Sequence, residues 1–240
     1  MTQLKDYIKQ HPMLMKFALL IQTGSVFKRS VTRRIRGQRN RIRIDQTAFC
    51  VGCVIDVVGN NNTIIVQESA RLLNLRFFIR GNNNRIVVSS QVRVNRDGDL
   101  WIEDDGGTIT IGEQCTFEAA HIAVTEPGSS ITIGRDCLFA YDIDIRTGDS
   151  HSIIDTQTDK RINYARDVLI GDHVWIAAHC SILKGVRLGR NSVVATRSVV
   201  TKPFDQEGVI VGGNPARILK ENVTWQRERL YPAASATISS

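Results

Sequence analysis

From Ile170 onward an aliphatic side chain returns at every sixth position: Ile170, Ile176, Ile182, Leu188, Val194 and Val200. The residue after each is often small, as at Gly171, Ala177, Gly189 and Ala195. Four after each stands a small or β-branched residue: Val174, Cys180, Val186, Ser192 and Ser198. A period of six suits neither a helix at 3.6 nor a simple strand at 2.0. It suits a triangular coil whose sides are short strands, so that about eighteen residues complete a turn and successive turns stack about 4.8 Å apart.

The earlier chain keeps the same rhythm with longer turns. Ile42/Ile44, Ile64/Val66, Ile86/Val88, Ile109/Ile111 and Ile131/Ile133 follow one another at 22, 22, 23 and 22 residues. Just ahead of the first three pairs come GQRN at 37, GNNN at 59 and GNNN at 81. Gly and Asn tolerate positive φ, which assigns these turns to stacked corners, and a bulged corner of about four residues would absorb the surplus over eighteen. Aromatics are only 6% of the chain and apolar residues 42%, which favours a narrow aliphatic interior. Cys115, Cys137 and Cys180 each fall four after a repeat aliphatic and read as small inward packing residues.

The stretch IGDHVWIAAHCSILKGVRLGRNSVVATRSVVTK, followed by VGGNPARILK, resembles the hexapeptide-repeat acyltransferases. It is most similar to the acetyltransferases of sugars and surface polysaccharides, among them the capsule, galactoside and maltose enzymes. The resemblance is strong over 109–220 and weaker over 37–108. It implies an all-β fold, a left-handed parallel β-helix, working as a homotrimer. The sequence divides into a basic, partly helical extension (1–36), the β-helix with a protruding loop (37–203), and a C-terminal loop and helix (204–240). Helical extensions are expected at 4–21 and at 216–230.

One segment breaks the period. Between Ile133 and Ile170 lie 37 residues, nineteen more than one short coil requires, and they coincide with the polar stretch DSHSIIDTQTDKRINYARD at 149–167. A polar insertion cannot continue the core, so it leaves the prism as a loop, where chemistry tends to sit. His151 stands at its entrance. In the resembling sugar acetyltransferases a loop histidine at this place is the general base, and Trp175 follows His151 by 24 residues as the family tryptophan follows its histidine. A sugar hydroxyl attacks a thioester poorly until a base takes its proton, and an imidazole near neutrality can do so for a gain of about 10²–10⁴ in rate. Asp149 would orient the ring, unless a backbone carbonyl does. Trp175 would line the cleft. His121, thirty residues before His151, stands where the galactoside and maltose enzymes carry an acceptor-side asparagine, and is assigned provisionally to the acceptor. His173 and His179 point outward on consecutive faces. Asp155, Lys160, Arg161 and Tyr164 either read the acceptor or are solvated.

The resemblance also implies a donor site for acetyl-CoA along the prism edge. Ala178 and Thr196 would stack there and leave small residues and free backbone groups for the pantetheine arm. Thr201, Lys202, Arg217 and Lys220 match basic-tail positions that would meet the coenzyme's phosphates. The family's usual Gly-Ala-Gly reads Ala195, Thr196 and Arg197 here. No Gly-rich phosphate loop suggests ATP or NAD. No metal is expected, since Cys50-x-x-Cys53 has no second pair.

The net charge of +7 is uneven: residues 1–43 hold eleven Lys and Arg against Asp6 alone, which leaves the remainder at −3. This argues against nucleic acid as partner. The basic segment 28–43 suits contact with an anionic membrane surface or an acidic polymer, or a solvated cap over the open coil end. Five cysteines, an odd number, and no secretory leader pattern point to the cytoplasm, at the inner face of the membrane if that contact is made. The expected activity is acetyl-CoA-dependent O-acetylation of a sugar hydroxyl in a capsular or other surface polysaccharide. The alternatives are N-acetylation of an amino sugar or small xenobiotic, and zinc chemistry like that of the γ-carbonic anhydrases through His151, His173 and His179.

Overall fold

Three stacks of short parallel strands wind into a triangular prism. The computed structural model describes residues 30–231, and within them every regular element is a strand. The first face runs from Val31–Arg36 through Cys53–Val58 and Leu75–Arg80 to Ile143–Arg146, Ser181–Ile182 and Val199–Val200. The second holds Phe49–Val51, Arg71–Leu73, Leu138–Phe139, Trp175–Ile176, Val193–Val194 and Ile210–Gly213. Two long strands, Arg93–Glu103 and Thr116–Val124, bend from the second face onto the first.

The third face carries the aliphatic pairs that mark the repeat. Ile42, Ile64, Ile86, Ile109, Ile131 and Val168 lie in one register column, and Ile44, Val66, Val88, Ile111, Ile133, Ile170 and Leu188 in the next. Ile133 therefore stacks directly on Ile170, and the insertion passes outside without disturbing the core. All five cysteines are buried, and none is in a disulfide. Cys115, Cys137 and Cys180 donate to the carbonyls of Gly134, Gly171 and Ala195 at 3.0, 3.2 and 3.1 Å, linking one coil to the next. Phe117 and Phe139 stack inside at 4.3 Å.

Corners are turned by left-handed residues. Gln91, Gln114, Asp136, His173 and Asn191 form one column with φ between 53° and 62°, and each donates its N–H to the preceding coil. The GNNN corners form another column. Gly59 has φ +133°, and a Cβ there would lie 1.8 Å from the Gly81 carbonyl oxygen, so both conformation and space demand glycine. Behind it runs an asparagine ladder. Asn62 accepts from the Asn84 N–H at 2.9 Å and donates to the Gly81 carbonyl at 2.9 Å, while Asn84 accepts from the Gly107 N–H at 2.7 Å and donates to the Asp104 carbonyl at 2.9 Å.

Three expectations are corrected. The surplus in the 22-residue coils is not confined to a bulged corner: first-face strands run to six residues and third-face strands to four, where Ser181–Ile182 and Arg187–Leu188 in a later coil have two each. The coils start at Val31–Arg36, ahead of position 37. No helix forms at 216–230. Ala216–Lys220 instead pairs antiparallel with Ile210–Gly213, because the last coil leaves an unpaired backbone edge and a returning strand satisfies it. The helix expected at 4–21 lies outside the described residues.

Asn84→Ala leaves a buried N–H and a carbonyl unpaired, so it should lower the unfolding free energy by about 2–4 kcal/mol in denaturant titration.

Candidate active site

The loop leaves the first face after Ile143–Arg146, at the corner shared with the third face, and returns at Val168–Ile170. A two-stranded ribbon, Ile154–Asp155 with Lys160–Arg161, forms its arm. Asp155 shapes the tip by accepting from the N–H groups of Gln157 at 2.8 Å and Thr158 at 3.0 Å. At the base sits Asn163, buried and fully used. Its amide donates to the His151 carbonyl at 2.7 Å and to Asp149 at 2.9 Å, and its side-chain oxygen accepts from the Ile153 N–H at 2.7 Å. Lys184, on the neighbouring coil, pairs with Asp149 and donates to the Asn163 carbonyl at 3.1 Å. Arg161 forks onto Glu126, stapling the arm to an earlier coil.

This scaffold fixes the backbone of His151 on both sides: its N–H donates to the Asp149 carbonyl at 2.8 Å and its carbonyl accepts from Asn163. His151 is exposed, and its imidazole has no partner among the described residues. Asp149 makes no hydrogen bond to the ring; its Oδ2 instead accepts from both Lys184 and Asn163. Burial alone would raise the Asp149 pKa, but the hydrogen bonds from Lys184 and Asn163, with the charges of Lys184 and Arg161, outweigh it and hold the carboxyl below its ordinary range.

The other histidines are engaged. His173 and His179 sit in the corners rather than on the faces, with φ 55° and 60°. His173 is hydrogen-bonded to Asp136 at 2.8 Å and to the Trp225 carbonyl at 2.9 Å, and stacks on the Trp225 ring at 4.2 Å. His179 is bonded to Asp142 at 2.6 Å. His121 lies on the first face, 3.7 Å from Asp99 and tilted against Trp101 at 6.1 Å. Among the described residues no three His, Cys, Asp or Glu side chains cluster as a metal would require, and one chain does not assemble the zinc arrangement of His151, His173 and His179.

The remaining candidates are dispersed. Trp175 stands half-exposed on the second face, the face opposite the loop's corner, with Trp225 6.2 Å away. Ala178 and Thr196 stack at the corner between the second and first faces, as their spacing implies. Their polar groups are not free: the Ala178 carbonyl accepts from Thr196 Oγ1 at 2.8 Å and from the Arg197 N–H at 3.0 Å. Thr201 and Lys202 lie one coil above Leu183 and Lys184, at the loop's corner. Arg217 and Lys220 are exposed on the returning strand. The sequence did not single out Asn163, Lys184, Trp225 or Arg227. The partners that define their roles lie 10 to 113 positions away, beyond the reach of any local pattern.

Residues 167–202 match the bacterial transferase hexapeptide family of six repeats. The chain is 36% identical over 130 residues to a polysialic acid O-acetyltransferase of Escherichia coli O1:K1 / APEC, an alignment covering 54% of this chain and 41% of that protein. The chain thus spans about two-fifths of that relative's length. The crystal structure of the polySia-specific acetyltransferase NeuO superposes with TM-score 0.75 at 30% identity, over 84% of this chain and 91% of that one. The polysialic acid O-acetyltransferase OatWY superposes with TM-score 0.72 at 28% identity, over 84% and 94%.

The depressed Asp149 pKa means that its clamp contributes above the ordinary carboxyl value of about 4 and is lost as pH falls through the lowered one. Hydrogen exchange over the loop, corrected for intrinsic pH dependence, should rise on acidification in the wild type. In Lys184→Met it should already be high at neutral pH.

Proposed function

Since this chain belongs to the hexapeptide-repeat acetyltransferases, built on the left-handed parallel β-helix, we propose that it transfers acetyl from acetyl-CoA to a hydroxyl of a surface polysaccharide, with His151 as the general base. The observation that carries the reading is the state of the histidines. Among the described residues, His151 alone keeps its ring free of protein partners while its backbone is held from both sides. A base needs that combination: a fixed position and an open nitrogen. The three similar proteins named above are all concerned with polysialic acid, which supports a polymeric sugar as acceptor.

The working unit is a homotrimer in this proposal. His151 and Trp175 occupy a corner and the face opposite it, so one chain cannot close a cleft around both. A loop corner docked against a neighbour's second face would do so. The apolar side chains exposed on the loop, Ile153, Ile154, Ile162 and Tyr164, support such a contact. The same packing would gather the dispersed donor-side residues. Thr201 and Lys202 lie at the loop's corner, while Ala178 and Thr196 border the second face. Acetyl-CoA supplies the activated acyl group. The exposed Lys202, Arg217 and Lys220 suit its phosphates, and the small side chain of Ala178 suits the close approach of a slender arm. His151 takes the proton of the sugar hydroxyl as it attacks and holds it for the departing thiol.

His151→Ala should preserve the fold and lower turnover by about 10²–10⁴. Trp175→Ala should also be impaired. Refolding the two variants together should restore roughly a quarter of the wild-type sites, because a cyclic trimer then forms some interfaces with both residues intact. A mixture no more active than its components would refute a shared site.

A further inference from the structure

The outward column of the second face reads, in register, Arg71, Arg93, Thr116, Leu138 and Trp175. Its lower half borders a cleft of about 620 Å³ walled by Arg93, Gln91, Gln114 and the C-terminal strap Thr224–Glu228. Arg227 crosses this cleft, but its charge is spent: it forks onto Asp136 at 2.8 and 3.0 Å and reaches Thr116 at 3.2 Å. Arg71 and Arg93 are different. They stand on adjacent strands, about 4.8 Å apart, and neither guanidinium forms an ion pair or a hydrogen bond with a described residue, their only hydrogen bonds being those of the backbone ladder. Partial burial, then repulsion from Arg227 and Arg71, lowers the pKa of Arg93 although part of the side chain faces solvent. The first face handles its arginines otherwise: Arg76 pairs with Asp99, Arg80 with Asp56 and Arg146 with Asp144.

We propose that Arg71 and Arg93 form a carboxylate-binding subsite for an acidic polysaccharide whose chain runs along the second face to Trp175. Two guanidiniums on adjacent strands, Arg93 lining the cleft and Arg71 beside it in register, with no ion pair between either and the cleft's Glu228, call for an anion, and their planar forks match a carboxylate. Arg93 lies three strand spacings from Trp175, about 14 Å. The bound carboxylate therefore belongs to another sugar of the chain than the one acetylated. This requires a polymer that carries acid groups repeatedly. The subsite rests on the reading of Trp175 as a wall of the acceptor cleft, and its test separates the two.

The full-length chain and Arg71→Gln/Arg93→Gln are compared for binding of polysialic acid without acetyl-CoA, for acetyl transfer to it, and for oligomeric state by light scattering. The double variant should bind polysialic acid about tenfold more weakly. Its KM for the polymer should rise in proportion, with kcat and the KM for acetyl-CoA unchanged, and the difference should shrink in high salt. Arg96→Gln, an exposed control beside this column, should behave as wild type. Equal binding by the double variant and the wild type overturns the subsite. Dissociation of the oligomer also overturns it, since the arginines would then be meeting a neighbouring copy. An equal loss of affinity for single-stranded DNA overturns the assignment to a glycan. Binding that depends on Arg71 and Arg93 without any acetyl transfer by the wild type upholds the subsite and rejects the acetyltransferase reading instead.

Discussion

Every coil of the prism is placed by backbone hydrogen bonds to the coil before it, and these survive only if each corner turns within the same small space. The corners meet that demand with left-handed backbone, at Gly59 and Gly81 on one edge and at Gln91 through Asn191 on another. The asparagines behind the glycines pass hydrogen bonds from coil to coil where strand pairing stops. Once the corners are in step, the sides need only aliphatic filling. Ile133 can then stack on Ile170 although 37 positions separate them. An insertion at a corner costs the core little, because the pairing closes beneath it.

That tolerance lets a rigid, repetitive body carry an irregular loop with a defined base. Asn163 serves the loop as the asparagine ladder serves the corners: one amide side chain satisfies groups on both arms. Lys184 and Glu126 then bind the arms to coils that would stack without them. His151 inherits its position from this frame and contributes no bond of its own ring to it, so changes in the protonation of the ring leave the frame intact.

What was legible in the sequence follows from what repeats. The six-residue period, the aliphatic pairs of the third face and the surplus of nineteen all report on one coil relative to the next, so a single chain displays them. The buried thiols were legible for the same reason, each being a fixed four positions from an aliphatic. Features that depend on a unique return path were not. The stretch after Pro215 reads as a helix by composition, yet the unpaired edge of Ile210–Gly213 claims Ala216–Lys220 as a strand. Trp225 then reaches back 52 positions to exchange hydrogen bonds with His173. The charge of His173 and the role of Asp136 cannot be read until that strap is in place.

The two outer walls differ in how they treat charge. On the first face Arg76, Arg80 and Arg146 each have a carboxylate one strand away or within the same strand, so this part of the wall presents hydrogen-bonding groups with little net field. On the second face Arg71 and Arg93 follow one another with no acid between; of the two carboxylates lining the cleft, Asp136 is shared by Arg227 and His173, and Glu228 forms no ion pair with Arg93. Neutralising Arg93 from within would have required only an acid at position 71 or 116, positions the strand register places beside it. An arginine and a threonine stand there instead, so among the described residues nothing neutralises the field of this wall. Because the column passes through Trp175, that field acts along the same line as the proposed acetyl acceptor. In this architecture the repeat supplies direction as well as support: residues a coil apart lie on one straight track, and a track suits a polymer.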